Sequence, residues 1–322
     1  MFRRNSVFFT ALSAYLLPFT ALYLIFIYLK KIFTRGRDYG FPVISVGNIV
    51  SGGTGKTPLV MEIVRELHGR EKMVAVASSG FRDETIMLGK NFPRLEFTRK
   101  SRQGLAALKG FPGTVVLDDG FHCRWVKKDL NIVVIDASNP FDNGLPLPSG
   151  FLREPKHFIE QADLFVVTRT YMVSRMELKA LHLDLRQFGR PVYVMEYEIE
   201  SLRGKHRDIT TDIIPGSHVI AFAGIGSPIN FFALLATLNP SKISGVIYPD
   251  HFYYREKDVD ELCRLSLKER TDCVITTEKD FVKLENKWPR ELPLFYLAFK
   301  SVLKNMDGTE IGFDTLLAPM LK

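Results

Sequence analysis

The sequence predicts a three-layer α/β fold with a mostly parallel sheet, preceded by an apolar N-terminal segment. Three observations carry that expectation. Short runs rich in Val and Ile, closed by Gly or Asp, recur from residue 41 onward, as buried parallel strands do. Helical stretches separate several of them, the alternation expected of strand–helix–strand units. One strand-to-helix transition, "SVGNIVSGGTGKTPLV" at 45–60, carries glycines and a lysine in the order of a phosphate-binding loop.

From the N-terminus, residues 7–29 hold no charge, a length sufficient to cross a bilayer. Arg3 and Arg4 precede this run, and Lys30, Lys31, Arg35 and Arg37 follow it. It exceeds a signal-peptide core and enters the basic stretch without a small-residue cleavage site. Residues 1–37 are therefore expected to be a membrane-associated helix. Two geometries stay open: a span with its more basic end in the cytoplasm, or a helix lying in the inner leaflet and bent near Pro18. A buried core helix is the soluble alternative.

The next strands are expected at 41–49, 73–80, 114–120, 130–138, 162–169 and 191–199. They define a core over 38–200. The polar, turn-rich stretch 201–216 reads as a linker, and 217–322 as a smaller C-terminal α/β lobe. In that lobe "HVIAFAGIG" predicts strand and turn, followed by a helix with Ser227 as N-cap and Pro228 at its first position. Further strands are expected in "ISGVIYPD", "DCVITTEKD" and "LFYLAF". "GIG" at 224–226 lacks a third glycine at 229, so it predicts a tight turn and not a dinucleotide fingerprint.

Bulk properties narrow the class. A chain of 322 residues suits one large or two ordinary domains, and its net charge of +7 favours anionic partners such as phosphorylated or lipidic ones. Cys123, Cys263 and Cys273 lie far apart, which argues against a disulfide framework or a zinc site and for a reducing compartment.

The loop fixes the expected chemistry. The Walker A spelling is G-x-x-x-x-G-K-[ST], and here Val50 stands at the first glycine. The remainder, Ser51, Gly52, Gly53, Thr54, Gly55, Lys56 and Thr57, follows a strand and opens a helix. Its glycines allow backbone N–H groups to converge on phosphate oxygens. The helix start adds a positive end. Lys56 is expected to reach the β- and γ-phosphates and Thr57 to ligate Mg²⁺. "VVLDDG" supplies Asp118 and Asp119 as acidic metal partners, expected on opposite sides of an extended chain. A guanine-reading N-K-x-D motif is absent, which disfavours a GTPase. The deviant Walker loop of partitioning ATPases places a second lysine where Ser51 stands. A nucleotide-dependent enzyme tied to a membrane remains, with a membrane-tethered switch ATPase as the alternative.

"PVISVGNIVSGGTGKTP", "LDDGFHCRWVKKDLNIVVID", "LPSGFLREP" and "YPDHFYY", in this order, resemble the tetraacyldisaccharide 4'-kinase family of lipid A biosynthesis. The resemblance implies a RecA-like P-loop core, ATP and Mg²⁺, and a lipid A precursor disaccharide 1-phosphate as acceptor. It also implies a place at the cytoplasmic face of the bacterial inner membrane, among inner-membrane lipid. Neither a nucleic acid nor an obligatory protein partner is expected. In "SSGFRDET" the match to the family's base is Asp83, beside Glu84, and its partner histidine is His251. The pair would be brought together across a cleft between lobes. Arg153 and Glu154 are expected to contact substrate or order the site loop, with structural ion pairing as the alternative. The chain departs from the family at His122, Cys123 and Ser79, and the segment before Asp83 is shortened.

Overall fold

The computed structural model describes residues 7–52, 54–70, 72–79, 82–205 and 208–320, without the side chains of 7–11 and 82–84. Gly53 and the carboxylates of Asp83 and Glu84 thus lie outside the described groups.

The chain divides into two compact units, Met1–Gly80 with Leu95–Glu196 and Ser301–Lys322, and Phe81–Arg94 with Tyr197–Lys300. In chain order the elements are α1 (Val7–Phe33), β1 (Val43–Gly47), α2 (Lys56–Gly69), β2 (Val74–Ser78), α3 (Arg82–Asn91), β3 (Glu96–Arg99), α4 (Arg102–Ala107), β4 (Thr114–Asp118), β5 (Leu130–Asp136), β6 (Leu164–Thr168), α5 (Arg175–Arg186) and β7 (Val192–Gly204). They continue with β8 (Asp208–Ile209), β9 (His218–Ala223), α6 (Pro228–Ala236), β10 (Lys242–Ile247), α7 (Glu256–Glu269), β11 (Cys273–Thr276), α8 (Glu278–Leu284), β12 (Leu294–Asn305), β13 (Glu310–Ile311) and α9 (Asp314–Leu317).

In the first unit the strands run β7–β6–β5–β1–β4–β2–β3, and every pairing is parallel. All seven residues of β5 are buried, and its middle, residues 132–135, reads as a continuous apolar run instead of an alternating one. α2 covers the sheet with Leu59, Val60, Ile63, Val64 and Leu67, the spacing of a single helical face. α5 begins with a capping box in which the Ser174 hydroxyl accepts from the Glu177 N–H and the Glu177 carboxylate accepts from the Ser174 N–H.

α1 runs through Pro18 and packs one stripe, including Thr20, Tyr23, Ile27 and Lys31, on its unit. Tyr15, Leu22, Ile25, Phe26, Ile32 and Phe33 are exposed around the rest of it. Its stretch Leu12–Phe33 is long and apolar enough to cross a membrane. A soluble core helix would bury most of such a surface; this one buries a narrow strip.

In the second unit β10–β9–β11–β12 pair in parallel. Within 201–216, read from the sequence as a linker, residues 201–204 continue β7 and pair with β8, and Leu202 and Ile214 are fully buried in this unit's core. α6 starts where Ser227 and Pro228 predict, although no side-chain cap bond forms at Ser227. The Gly224 N–H donates to the buried Asp280 carboxylate at 2.8 Å, so "GIG" is a packed strand–helix turn.

α3 falls where the sequence showed only a shortened segment, and it belongs to the second unit. It buries Met87 and Leu88, and Asn91 Nδ2 donates to Glu278 Oε1 of α8 at 3.0 Å. Lys90 pairs with Glu285 just beyond α8.

Candidate active site

β1 lies at the middle of its sheet, flanked by β4 and β5. Its chain continues into the loop, and the first residues of that loop are held by a neighbouring segment. The Ser51 N–H donates to the Phe151 carbonyl, the Arg153 N–H donates to the Ile49 carbonyl, each at 2.8 Å, and Val50 and Leu152 form an antiparallel bridge. Val50 is buried in a cluster with Ile49, Phe121, Ile135 and Leu152. A valine replaces the first Walker glycine because the chain here is extended and packed, conditions that favour a β-branched side chain.

Glycine is needed further on. Gly52 and Gly55 have φ of 125° and 81°, which side chains disfavour. The Thr54 carbonyl accepts from Thr168 Oγ1 at 3.0 Å, pinning the loop to the end of β6. α2 then begins at Lys56 with Gly55 at its N-cap, no side-chain cap and no acidic residue in its first turn. Its leading N–H groups therefore face the loop without a protein carboxylate or hydroxyl at the cap, the arrangement that receives an anion. Thr57, in that first turn, is half-buried.

β4 ends at Asp118, and Asp119 takes a left-handed backbone, φ 54°. The expectation that the two carboxylates alternate along an extended chain is corrected here, because the strand stops between them. Three cations gather on Asp119: Arg153 Nη1 at 2.6 Å, Lys56 Nζ at 3.4 Å and Lys100 Nζ at 3.9 Å. Lys100 also donates to the carbonyls of Asp118 and Asp119 at 2.7 and 2.9 Å. Burial alone would raise the Asp119 pKa, but Lys56, Arg153 and Lys100 outweigh it and hold the carboxyl well below its usual range.

Lys100 was not singled out from the sequence. Its only local signal is its place after β3, a short strand whose pattern is too exposed to read as one.

Glu154 lies beside Arg153 but turns inward. It is 2% exposed, with Arg124 at 2.7 Å and His122 Nδ1 at 3.3 Å. Burial raises its pKa, and His122 and Arg124 together reverse that and lower it. His122 thus lies against Glu154 inside the fold, and Cys123 is buried in the core beside Val43 and Leu117.

On the far side of β1, Asp136 ends β5 and pairs with Arg169; its Oδ1 accepts from Ser138 Oγ at 2.6 Å. Both partners are almost wholly buried. Neither residue was predicted.

In the second unit His251 has φ 58°, and its Nε2 lies 3.5 Å from Lys279 Nζ and 3.8 Å from Asp250 Oδ1. Lys279 is on α8, the helix on which α3 packs, so Asp83 and His251 sit on elements that both border α8. The expected division of this pair between lobes is corrected: both residues belong to the second unit, because α3 leaves the first. Among the described residues no three His, Cys, Asp or Glu side chains converge as a metal-ion cluster.

The chain matches the model of the family described as LpxK, tetraacyldisaccharide-1-P 4'-kinase, over residues 12–89 and 83–317. A tetraacyldisaccharide 4'-kinase of Halothermothrix orenii is 33% identical over 283 residues, 75% of this chain and 73% of the relative. That of Geobacter metallireducens is 36% identical over 278 residues, 78% and 80% of the two chains. The crystal structure of LpxK from Aquifex aeolicus in complex with ATP is similar with a TM-score of 0.69 and 26% identity, covering 97% of this chain and all of that one. A phosphate-binding loop on a parallel α/β sheet, a second α/β unit and these matches together place the chain in the tetraacyldisaccharide-1-P 4'-kinase family.

Proposed function

We propose that this chain transfers the γ-phosphoryl group of ATP to the 4'-hydroxyl of a tetraacylated glucosamine disaccharide 1-phosphate. The observation that carries this reading is the surplus of positive charge at the phosphate loop: three cations meet at one carboxylate, Asp119, beside an uncapped helix start. Phosphoryl transfer needs positioning and charge neutralisation above all. Backbone N–H groups of the loop cradle the phosphates. Lys56 holds the β- and γ-oxygens and leaves its Asp119 contact partly or wholly to do so. Arg153 and Lys100 then keep Asp119 ionised and in place.

The residues fit Mg²⁺. Asp119 Oδ1 is buried and makes no hydrogen bond, its one cation, Lys56 Nζ, standing off at 3.4 Å, and Thr57 stands on the adjoining helical turn. Mg²⁺ is commonly held by one or two carboxylates with substrate phosphates, so the lack of a larger acidic cluster among the described residues suits it. Thr57, Asp119 and Asp118 would hold the ion, which supplies charge neutralisation at the phosphates.

A sugar hydroxyl attacks well only when its proton has an acceptor. Asp83 takes that role in this reading, and His251, carried by the same unit, orients its carboxylate. The exposed apolar surface of α1 rests on the cytoplasmic face of the inner membrane, where the acyl chains of the acceptor reside.

The test is incubation with γ-labelled ATP, Mg²⁺ and the tetraacyl disaccharide 1-phosphate. Label should appear in the lipid, and Asp83→Ala should slow its appearance by about 10²-fold or more, as loss of a general base does. Absence of labelled lipid with the wild-type chain overturns the proposal.

A further inference from the structure

α1 and the segment 149–160 meet in a regular register. Thr20 Oγ1 donates to Ser149 Oγ at 2.7 Å, and the Ser149 N–H donates back to Thr20 Oγ1 at 3.1 Å. The Tyr23 hydroxyl donates to the Arg153 carbonyl at 2.6 Å. Tyr28 reaches His157 Nε2 at 3.1 Å, and Lys31 lies 3.6 Å from Glu160. The other edge of the same segment grips the phosphate loop through Phe151, Leu152 and Arg153.

Arg153 is where the two edges meet. Its N–H holds the carbonyl of Ile49, its guanidinium holds Asp119, and its carbonyl is held by Tyr23. We infer that Tyr23 is a positioning residue for the phosphate site: its hydroxyl fixes the Arg153 backbone, and so the placement of the guanidinium that Asp119 shares with Lys56. The apolar helix is then more than an anchor, because its seating is transmitted by one hydrogen bond to the charge balance at the loop. This inference rests on the kinase reading for its consequence in turnover, but not for its consequence in nucleotide binding.

The physical reasoning is short. Without the Tyr23 hydroxyl, the Arg153 carbonyl loses its partner and the residue loses one of three fixed points. A guanidinium that wanders from Asp119 leaves that carboxylate to draw Lys56 more strongly away from phosphate. Both nucleotide affinity and turnover then fall, while the apolar face of α1 is unaltered.

The experiment uses the full-length chain and Tyr23→Phe. One net hydrogen bond is at stake, so MgATP affinity, by calorimetry, and kcat for lipid phosphorylation should each fall about 2- to 10-fold. Partition onto vesicles of anionic phospholipid and KM for the lipid acceptor should match the wild type. In an Arg153→Ala background, Tyr23→Phe should change affinity by less than about twofold, since partners in one network are not additive. Lys31→Ala, which loosens the same helix away from Arg153, should leave affinity and kcat unchanged. The inference is overturned if Tyr23→Phe leaves affinity unchanged, if its effect persists in full without the Arg153 side chain, if Lys31→Ala reproduces it, or if only vesicle partition and lipid KM move. If the wild type labels no lipid, the kinase reading fails, and the affinity measurements still decide the role of Tyr23.

Discussion

Two carboxylates flank the strand that feeds the phosphate loop, and their surroundings differ. On the β4 side, Asp119 faces three cations and keeps one buried oxygen without a hydrogen-bond partner. On the β5 side, Asp136 faces Arg169, and its remaining capacity goes to Ser138. The first cluster sets three cations against the Asp119 carboxylate; the second sets one cation against one carboxylate. Similar residue types at matching strand ends thus meet different surroundings. An unbalanced cluster is costly in an isolated chain and becomes favourable when an anion arrives, whereas a balanced one stabilises the fold whether or not a ligand is present.

Four measurements can break or sharpen this contrast. The largest effect is expected from Lys56→Ala, which should lower kcat about 10²- to 10³-fold, the loss typical of a transition-state charge donor. Its urea midpoint should stay close to the wild type, since Arg153 and Lys100 still neutralise Asp119. A large loss of stability instead would make the cluster structural.

Asp136→Asn should do the opposite. It strands a buried guanidinium, and unfolding in urea should show a loss of about 2–3 kcal/mol. The folded fraction should bind ATP within about twofold of wild type, since independent sites couple by no more than about 0.3–0.5 kcal/mol. Loss of binding at full stability would reverse the roles assigned to the two acids.

Val50→Gly restores the usual first glycine and should still weaken the protein, by about 2 kcal/mol, through lost apolar burial and a freer unfolded chain. Nucleotide affinity should hold. A gain in stability would show that the valine is not packed as described.

The smallest effect concerns pH. The Asp119 carboxyl is depressed in the folded chain, so its stabilising contribution is complete above the ordinary carboxylate pKa and is lost as pH falls below it, towards the folded value. The stability gap between wild type and Asp119→Asn should therefore be constant from about pH 5 to 7 and should narrow below about pH 4, given an unfolded Asp pKa near 3.9. A gap that narrows near neutrality would mean that the three cations do not hold the carboxyl ionised.

Much of the first unit was legible beforehand. β1, β2, β4, β5 and β6 each fall inside an expected run, because buried parallel strands write themselves as unbroken apolar stretches. The loop was legible because glycines, a lysine and a helix start are local features. β3 and α3 were not legible. β3 is short and largely exposed, and α3 has a weak apolar pattern whose few buried residues meet their partners only in the second unit. Lys100, Asp136 and Arg169 carry no motif of their own; they follow or end parallel strands of the same sheet, 53, 89 and 122 residues beyond Gly47 at the end of β1.

The sequence by itself determined the fold class, the apolar helix, the phosphate loop and the pair of aspartates at the end of β4. These depend on periodicity and on short-range backbone chemistry, which a linear reading contains. The tertiary structure alone decided why Val50 is tolerated, which acid gathers the cations, that Glu154 turns inward, and that Asp83 and His251 ride on one unit. Those outcomes depend on which distant side chains share a low-dielectric neighbourhood, and burial and charge pairing are properties of the packed chain and not of any stretch of it.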